Sequence, residues 1–234
     1  MPGWAHLDAA EWTAVVLSLK VAFFSTLWSI VPGIAIALLL ARGRFFGKEI
    51  VNGIVHLPLV LPPVVTGYLL LILFGRTGPI GSFLASTFGI VLAFRWTGAV
   101  LASAIMGFPL MVRAIRLSID SVDRKLEAAA STLGANRAFV FLTVTLPLML
   151  PGIIAGMILS FARSMGEFGA TITFVSNIPG ETQTLPLAIY SFIQVPGGEP
   201  AALRLTIISI IISMAALLAS ELLARRAARR IAGT

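Results

Sequence analysis

Long apolar runs separated by basic punctuation decide what this chain can become. Five of them, at about residues 12–41, 50–74, 96–117, 146–165 and 203–223, reach the roughly 20 residues that cross a bilayer as helix. A backbone in lipid must satisfy its own N–H and C=O groups, so such runs become helices. Only 12% of the residues are charged, against about 25% in a soluble domain, and the mean hydropathy is +0.98. A soluble fold is excluded. The expected fold is an all-α polytopic membrane protein with about five transmembrane helices plus a short re-entrant or interfacial helix. Its 234 residues form a single transmembrane domain, 1–234, with no room for a separate soluble one.

Charge gives the topology. The net charge of +7 would suit a nucleic-acid binder, but the cations sit where membrane proteins keep them, on the cytoplasmic flanks of spans. Lipid is therefore the expected partner and nucleic acid is not. Arg42, Arg44 and Lys48 follow the first run, Arg113, Arg116, Arg124, Lys125 and Arg137 surround the third loop, and Arg225, Arg226, Arg229 and Arg230 close the chain. That places 12 of the 17 Lys and Arg inside, the N-terminus outside and the C-terminus in the cytoplasm. Arg76, Arg95 and Arg204 fall at the outer edge, Lys20 near the outer end of the first span, and Arg163 within the fourth. Residues 1–11 carry Asp8 and Glu11 and no cation, which does not resemble a cleaved signal, so the first helix is expected to stay. The absence of cysteine rules out disulfides and thiolate metal sites.

Two stretches depart from simple spans. Pro58, Pro62 and Pro63 lie inside the second run and each removes a backbone donor. The freed carbonyls need partners, so this helix either packs as a kinked structural element or lines a wet path. Residues 75–95 are too short to span and suit an interfacial helix. Residues 166–200 hold two short apolar patches, Thr171–Val175 and Leu185–Val195, broken by Asn177, Pro179, Gly180 and Pro186. Because both flanking spans meet the outside here, a short re-entrant or half-buried helix is expected at about 184–195.

Few residues offer chemistry. No GxxxxGK[ST] loop is present, so the chain does not hydrolyse ATP itself. His6 and His56 are the two histidines, and no cluster has metal-ligand spacing. His56 reads as a packed or capping residue. There is no GxSxG elbow for a hydrolase. Arg163 and Glu167 are intramembrane charges four apart, which share a helix face and can neutralise each other. They are either functional or a structural pair holding the fourth span in register. Ser160, Ser164, Thr171, Thr173, Ser176 and Asn177 gather around them. Hydroxyls and amides hydrogen-bond an oxyanion without trapping it, and they also serve helix contacts in lipid.

The most distinctive stretch is the loop at 120–145. It starts polar at Asp123, Arg124 and Lys125, continues as a helix over Leu126–Leu133, and breaks at Gly134. A short amphipathic run follows, and Pro147 opens the next apolar segment where helices tolerate proline. This order resembles the cytoplasmic coupling motif of permease subunits in binding-protein-dependent ABC importers: Glu-Ala-Ala, three residues, Gly, nine residues, Ile, one residue, Leu-Pro. Ala129, Ala130, Gly134, Leu146 and Pro147 hold their positions, with Val144 for the isoleucine. Glu127 stands one residue early, which turns it by about 100° around the helix.

The runs HLPLVLPPVVTGYLLL, FPLMVRAIRLSIDSVD and FARSMGEFGATITFVSNIPGETQTLPLAIY extend the likeness to most of the chain. Together they resemble the membrane subunit of molybdate ABC importers, of the MetI-like type I permease fold. Sulfate importer permeases are similar through the loop and around Gly166-Glu167. The resemblance implies a homodimer with its pathway on the twofold axis and two ABC ATPase subunits beneath it. Each ATPase receives one coupling helix and holds the ATP and Mg; this chain has no cofactor of its own. An external oxyanion-binding protein docks opposite. The expected setting is a bacterial inner membrane, and the expected cargo is molybdate, with tungstate following. Glu127, Ala129, Ala130, Gly134, Leu146 and Pro147 are the expected coupling residues. Pro62, Pro63, Ser164, Glu167, Thr171 and Asn177 are the pathway candidates. A sulfate or thiosulfate permease is the nearest alternative. An ion-coupled secondary anion transporter is a more distant one, since only Glu167 qualifies as a midplane carboxylate and no internal repeat is visible.

Overall fold

The computed structural model describes residues 7–132 and 134–232. His6, Leu133 and the side chains of the four C-terminal arginines fall outside the described residues. The described chain is helical: α1 Ala9–Arg42, α2 Lys48–Val60, α3 Pro63–Phe74, α4 Pro79–Phe88, α5 Trp96–Ser121, α6 Arg124–Thr132, α7 Arg137–Val140, a π-helical turn Phe141–Thr145, α8 Leu146–Met165, α9 Gly169–Val175, α10 Leu185–Ile193 and α11 Glu199–Ala232. Four stretches are long and apolar enough to cross a membrane: Ala9–Arg42, Trp96–Ser121, Ala138–Met165 and Glu199–Ala219.

The second apolar run is not one kinked helix. It divides into α2 and α3, bent by 115° at the break. Leu61 ends the first piece in extended backbone and Pro63 starts the second, because consecutive prolines remove two donors and push the preceding residue out of the helical region. The two pieces still serve opposite ends of the bundle. Val51 and Val55 of α2 pack on the cluster of Ala37, Leu40, Ile115 and Ile119. Leu70 and Phe74 of α3 pack with Leu17, Ala99 and Phe174. The pair therefore links the basic end of the molecule to the other end, as a fifth span would.

α1, α5 and α8 form the centre, and small residues set how close they come. On α8, Gly152, Gly156, Ser160 and Ser164 repeat every four residues, a stripe along one face. A Cβ on Gly156 would sit 3.0 Å from the Met111 carbonyl, one on Gly107 of α5 would sit 2.6 Å from Ser160 Oγ, and one on Gly152 would collide with Ser118. Backbone approach replaces bulky interdigitation, as expected where lipid supplies no hydrophobic drive between helices. A further set of large apolar side chains points outward: Trp28, Val31, Ile210, Ile211, Leu217 and Leu218 are all more than half exposed. In water this surface would aggregate; in a bilayer it meets acyl chains.

The expected short elements are present. α4 is a ten-residue helix within the 75–95 stretch, too short to span. α10 falls at Leu185–Ile193, within the segment expected to be re-entrant or half-buried. Leu185, Leu187 and Ala188 are buried, and the Leu185 N–H donates to Ser18 Oγ on α1 at 2.6 Å. α10 is thus docked against the bundle and does not cross it.

Candidate functional site: a coupling knob and a polar joint

The coupling stretch folds as a helix, a break and a second helix. Asp123 starts α6, its carboxylate accepting from the Lys125 N–H at 2.9 Å. Gly134 ends it with φ +85°, a left-handed turn that glycine adopts without Cβ strain. Nothing lies within 4 Å of the position a Cβ would take there, so backbone conformation alone selects glycine. Asn136 then caps α7, accepting from the Phe139 N–H at 2.8 Å. Ala129 is exposed and Ala130 half-buried. With Gly134, Ala135, Asn136 and Phe139, Ala130 lines a groove of about 450 Å³, and Leu126, Phe139 and Leu142 stand more than half exposed. The knob has the apolar surface a protein partner would cover.

Glu127 does not join that surface. Its Oε1 accepts from Arg42 Nη2 at 3.1 Å and from Thr145 Oγ1 at 2.8 Å. The 100° offset seen in the sequence turns the carboxylate inward, toward the end of α1 and the root of α8. The π-helical turn Phe141–Thr145 supplies the third member. Thr145 at its end is buried, and such turns recur at functional sites. Leu146 packs partly buried against the cluster of Ile115, Ile119 and Met149, and Pro147 lies in the first turn of α8. The knob is therefore fastened at two points, by an ion pair to α1 and by continuous helix to α8.

The pathway candidates gather at the opposite half. Ser164 is buried, accepting from Ser25 Oγ at 2.9 Å and donating to the Ser103 carbonyl at 3.4 Å. One residue later, at Met165, α8 ends, and Glu167 fills the corner before α9. Its Oε1 accepts from the Ala170 N–H at 2.8 Å. Its Oε2 lies 2.7 Å from Arg163 Nη1 but off the hydrogen-bond line, so that oxygen has a charge partner and no hydrogen-bond donor. The expected i, i+4 pair forms even though the helix stops between its members.

α9 packs directly on α3. A Cβ on Gly169 would meet Pro63 Cβ at 2.7 Å, and one on Gly67 would meet the Ala170 carbonyl at 2.5 Å. Pro62 and Pro63, Glu167 and Thr171 are thus parts of one joint, with Thr171 donating to the Glu167 carbonyl at 3.3 Å. Asn177 stands farther on and donates to Ser191 Oγ of α10 at 2.6 Å. Between them Ser176 has φ +65° and ψ −165°, a region that is almost glycine-only. Thr182 holds it there, donating to the Ser176 carbonyl at 3.2 Å and accepting from the Ile178 N–H at 2.9 Å. Glu167 and Thr171 are buried within the protomer.

Sequence reasoning did not find the Glu11–Arg204 pair. Arg204 Nη2 and Nε reach Glu11 Oε1 at 2.7 and 3.1 Å, while Oε2 accepts from the Asp8 N–H at 2.7 Å in a capping box. The partners are 193 residues apart, so no local pattern signals them. The α8 stripe did carry a signal, its four-residue spacing. His56 does not cap: it sits half-buried within α2, its Nδ1 lying 2.9 Å from the Asn52 carbonyl one turn earlier.

The arrangement matches known proteins. Residues 33–229 match the family described as binding-protein-dependent transport system inner membrane component. The chain is 63% identical over 219 residues to the molybdenum transport system permease protein ModB of Escherichia coli K12, covering 94% of this chain and 96% of that one. It is 58% identical over 221 residues to ModB of Haemophilus influenzae, with 94% and 96% covered. Identity to the sulfate transport system permease protein CysT of Salmonella typhimurium is 36%, with 98% and 84% covered. Among solved structures, a bacterial ABC transporter involved in the import of alginate superposes with TM-score 0.74 at 18% identity, covering 94% of this chain and 80% of that chain. The inward-facing MetNI methionine ABC transporter gives TM-score 0.69 at 16% identity, with 92% and 94% covered. These neighbours share the fold. This chain belongs to the family of binding-protein-dependent transport system inner membrane components, a transport subunit and not an enzyme.

Proposed function

We propose that this chain is the membrane-spanning subunit of an ATP-driven importer that moves molybdate, and tungstate with it, into the cell. One observation carries the cargo: identity to molybdenum permeases far exceeds identity to the sulfate permease, over nearly the whole length of each. The two oxyanions match in charge and nearly in size, so a conduit built for one admits the other. In this reading two copies form the pathway between them, in a bacterial inner membrane, with the N-terminus outside. Two ATPase subunits hold ATP and Mg and each receives one knob. An external oxyanion-binding protein delivers the cargo.

The geometry supports a route for the stroke. Closure of the ATPases pushes on α6 through Ala129, Ala130 and Gly134. Glu127 passes the displacement to Arg42 and so to α1. Leu146 and Pro147 pass it to α8, whose other end carries Ser164 and leads into Glu167. There the α3–α9 joint, with Pro62, Pro63 and Thr171, and the strained corner before Asn177 form the part of the pathway that changes shape. Alternating access needs two discrete arrangements of such a packed element.

Reconstitution with the ATPase and the binding protein in liposomes tests this. ATP hydrolysis stimulated by binding protein loaded with molybdate or tungstate is the expected result. Stimulation by sulfate alone would keep the machine and change the cargo. ATP-independent anion flux without a complex would favour a secondary transporter.

A further inference from the structure

Cations at the end opposite the cytoplasmic flanks run against the usual bias of membrane proteins, so each needs a reason. Arg204 has one in Glu11. Lys20 of α1, Arg76 after α3 and Arg95 before α5 have none of that kind: the ion pairs among the described residues use Arg42, Arg116, Arg163 and Arg204. Instead the three line one cavity of about 800 Å³, together with Trp96, Thr97 and a single carboxylate, Glu181. Lys20 Nζ lies 3.7 Å from the centre of the Trp96 ring, a contact that steers the ammonium without cancelling its charge. α5 starts at this wall with no side-chain cap, so the positive end of its dipole adds to the field. Phe94, next to Arg95, has φ +59°, and strain of this sort persists where the surroundings over-determine a turn.

We propose that this cavity is an antechamber for the transported oxyanion, a weak site occupied between release from the binding protein and passage into the bundle. The proposal rests on the transport reading above. Guanidinium groups offer forked N–H donors to a tetrahedral dianion. The cavity is far larger than one such ion, so the ion keeps much of its water and exchanges quickly. A conduit requires binding strong enough to admit the ion and weak enough to release it.

The test uses the complete complex in nanodiscs, without the binding protein, and radiolabelled molybdate in equilibrium dialysis. Weak saturable binding is expected, reduced about tenfold by Arg76→Gln or Arg95→Gln and further by the pair. Arg95→Lys should recover part of it. Arg44→Gln, at the opposite end, should leave it unchanged and controls for net charge. In proteoliposomes with saturating loaded binding protein, the double variant should import more slowly while the binding-protein concentration for half-maximal ATPase stimulation stays the same. No saturable binding at millimolar molybdate, or binding indifferent to both substitutions, overturns the antechamber. A rise in that half-maximal concentration with oxyanion binding intact also overturns it, and marks the cavity as a seat for acidic side chains of the binding protein. Failure of the unsubstituted complex to import molybdate in the same vesicles would instead defeat the transport reading.

Discussion

The two ends of α1 carry ion pairs of opposite polarity and different character. At one end Glu11 of the helix takes Arg204 of α11 at 2.7 Å, and the carboxylate is 1% exposed. At the other, Arg42 of the helix reaches Glu127 of α6 at 3.1 Å, with both side chains about one quarter exposed. The first carboxylate is filled by Arg204 and its own capping box. The second is shared with a hydroxyl on a π-helical turn and opens onto a groove of about 370 Å³. A pair whose carboxylate is desolvated and has both oxygens occupied resists separation, although Arg204 itself is 21% exposed; a pair wetted on both sides exchanges partners at little cost. α1 is thus clamped at the end where helices α10 and α11 pack, and linked loosely at the end where the proposed coupling knob sits.

The largest effect is expected at the clamp. Glu11→Ala leaves the part-buried Arg204 without its partner and removes the capping box, and should destabilise the detergent-solubilised chain by about 2–3 kcal/mol. Denaturant titration followed by tryptophan fluorescence measures it. Replacing both Glu11 and Arg204 by leucine should recover much of the loss, because no unpaired buried charge remains. A single substitution costing under about 1 kcal/mol would show that the two ends of α1 do not differ as described.

Gly134→Val comes next. The left-handed backbone at φ +85° costs a β-branched residue about 1–2 kcal/mol, spent locally because nothing lies within 4 Å. The expected outcome is a dimer that inserts normally and fails to retain the ATPase on co-purification. Normal ATPase association would remove Gly134 from the coupling assignment.

What the sequence made legible follows from range. Four of the five spans, the α6 break and the start of α8 depend on composition and local spacing, and they stand where the runs place them. A spacing of four pairs Arg163 with Glu167, and they meet. The break between α2 and α3 was only half legible: three prolines announce a bend, but neither its 115° nor the close packing of α9 on α3 at Gly67 and Gly169 is a local property. The inward turn of Glu127 could be computed as a rotation, while its partners Arg42 and Thr145 lie 85 and 18 residues away. The clamp at Glu11 was not legible for the same reason. Burial decides which charges pair, and burial is a tertiary property.

Arg42→Gln should separate stability from transmission. The loose link is worth about 1 kcal/mol at most to folding, so the unfolding curve should move little. If Glu127 carries displacement from α6 to α1, the loaded binding protein should stimulate ATP hydrolysis several-fold less, while basal hydrolysis stays. Unchanged stimulation would leave Leu146 and the helix of α8 as the sole route.

The smallest perturbation tests the frame in which the two ends are compared. The chain has no cysteine, so single cysteines report alone. Lys125 is exposed on α6, and Glu181 is exposed beside the outer cavity. Lys125→Cys and Ala228→Cys should react with a membrane-impermeant maleimide only from the cytoplasmic side, and Glu181→Cys only from outside. The logic is geometric. Lys125 belongs to the end that holds Arg42 and Arg116, and Glu181 to the end that holds Lys20 and Arg95. Between them run α1, α5 and α8, each long enough to cross the bilayer. Labelling of positions 125 and 181 from the same side would mean that these helices do not separate two compartments, and neither the clamp nor the link would then have a side of the membrane to belong to.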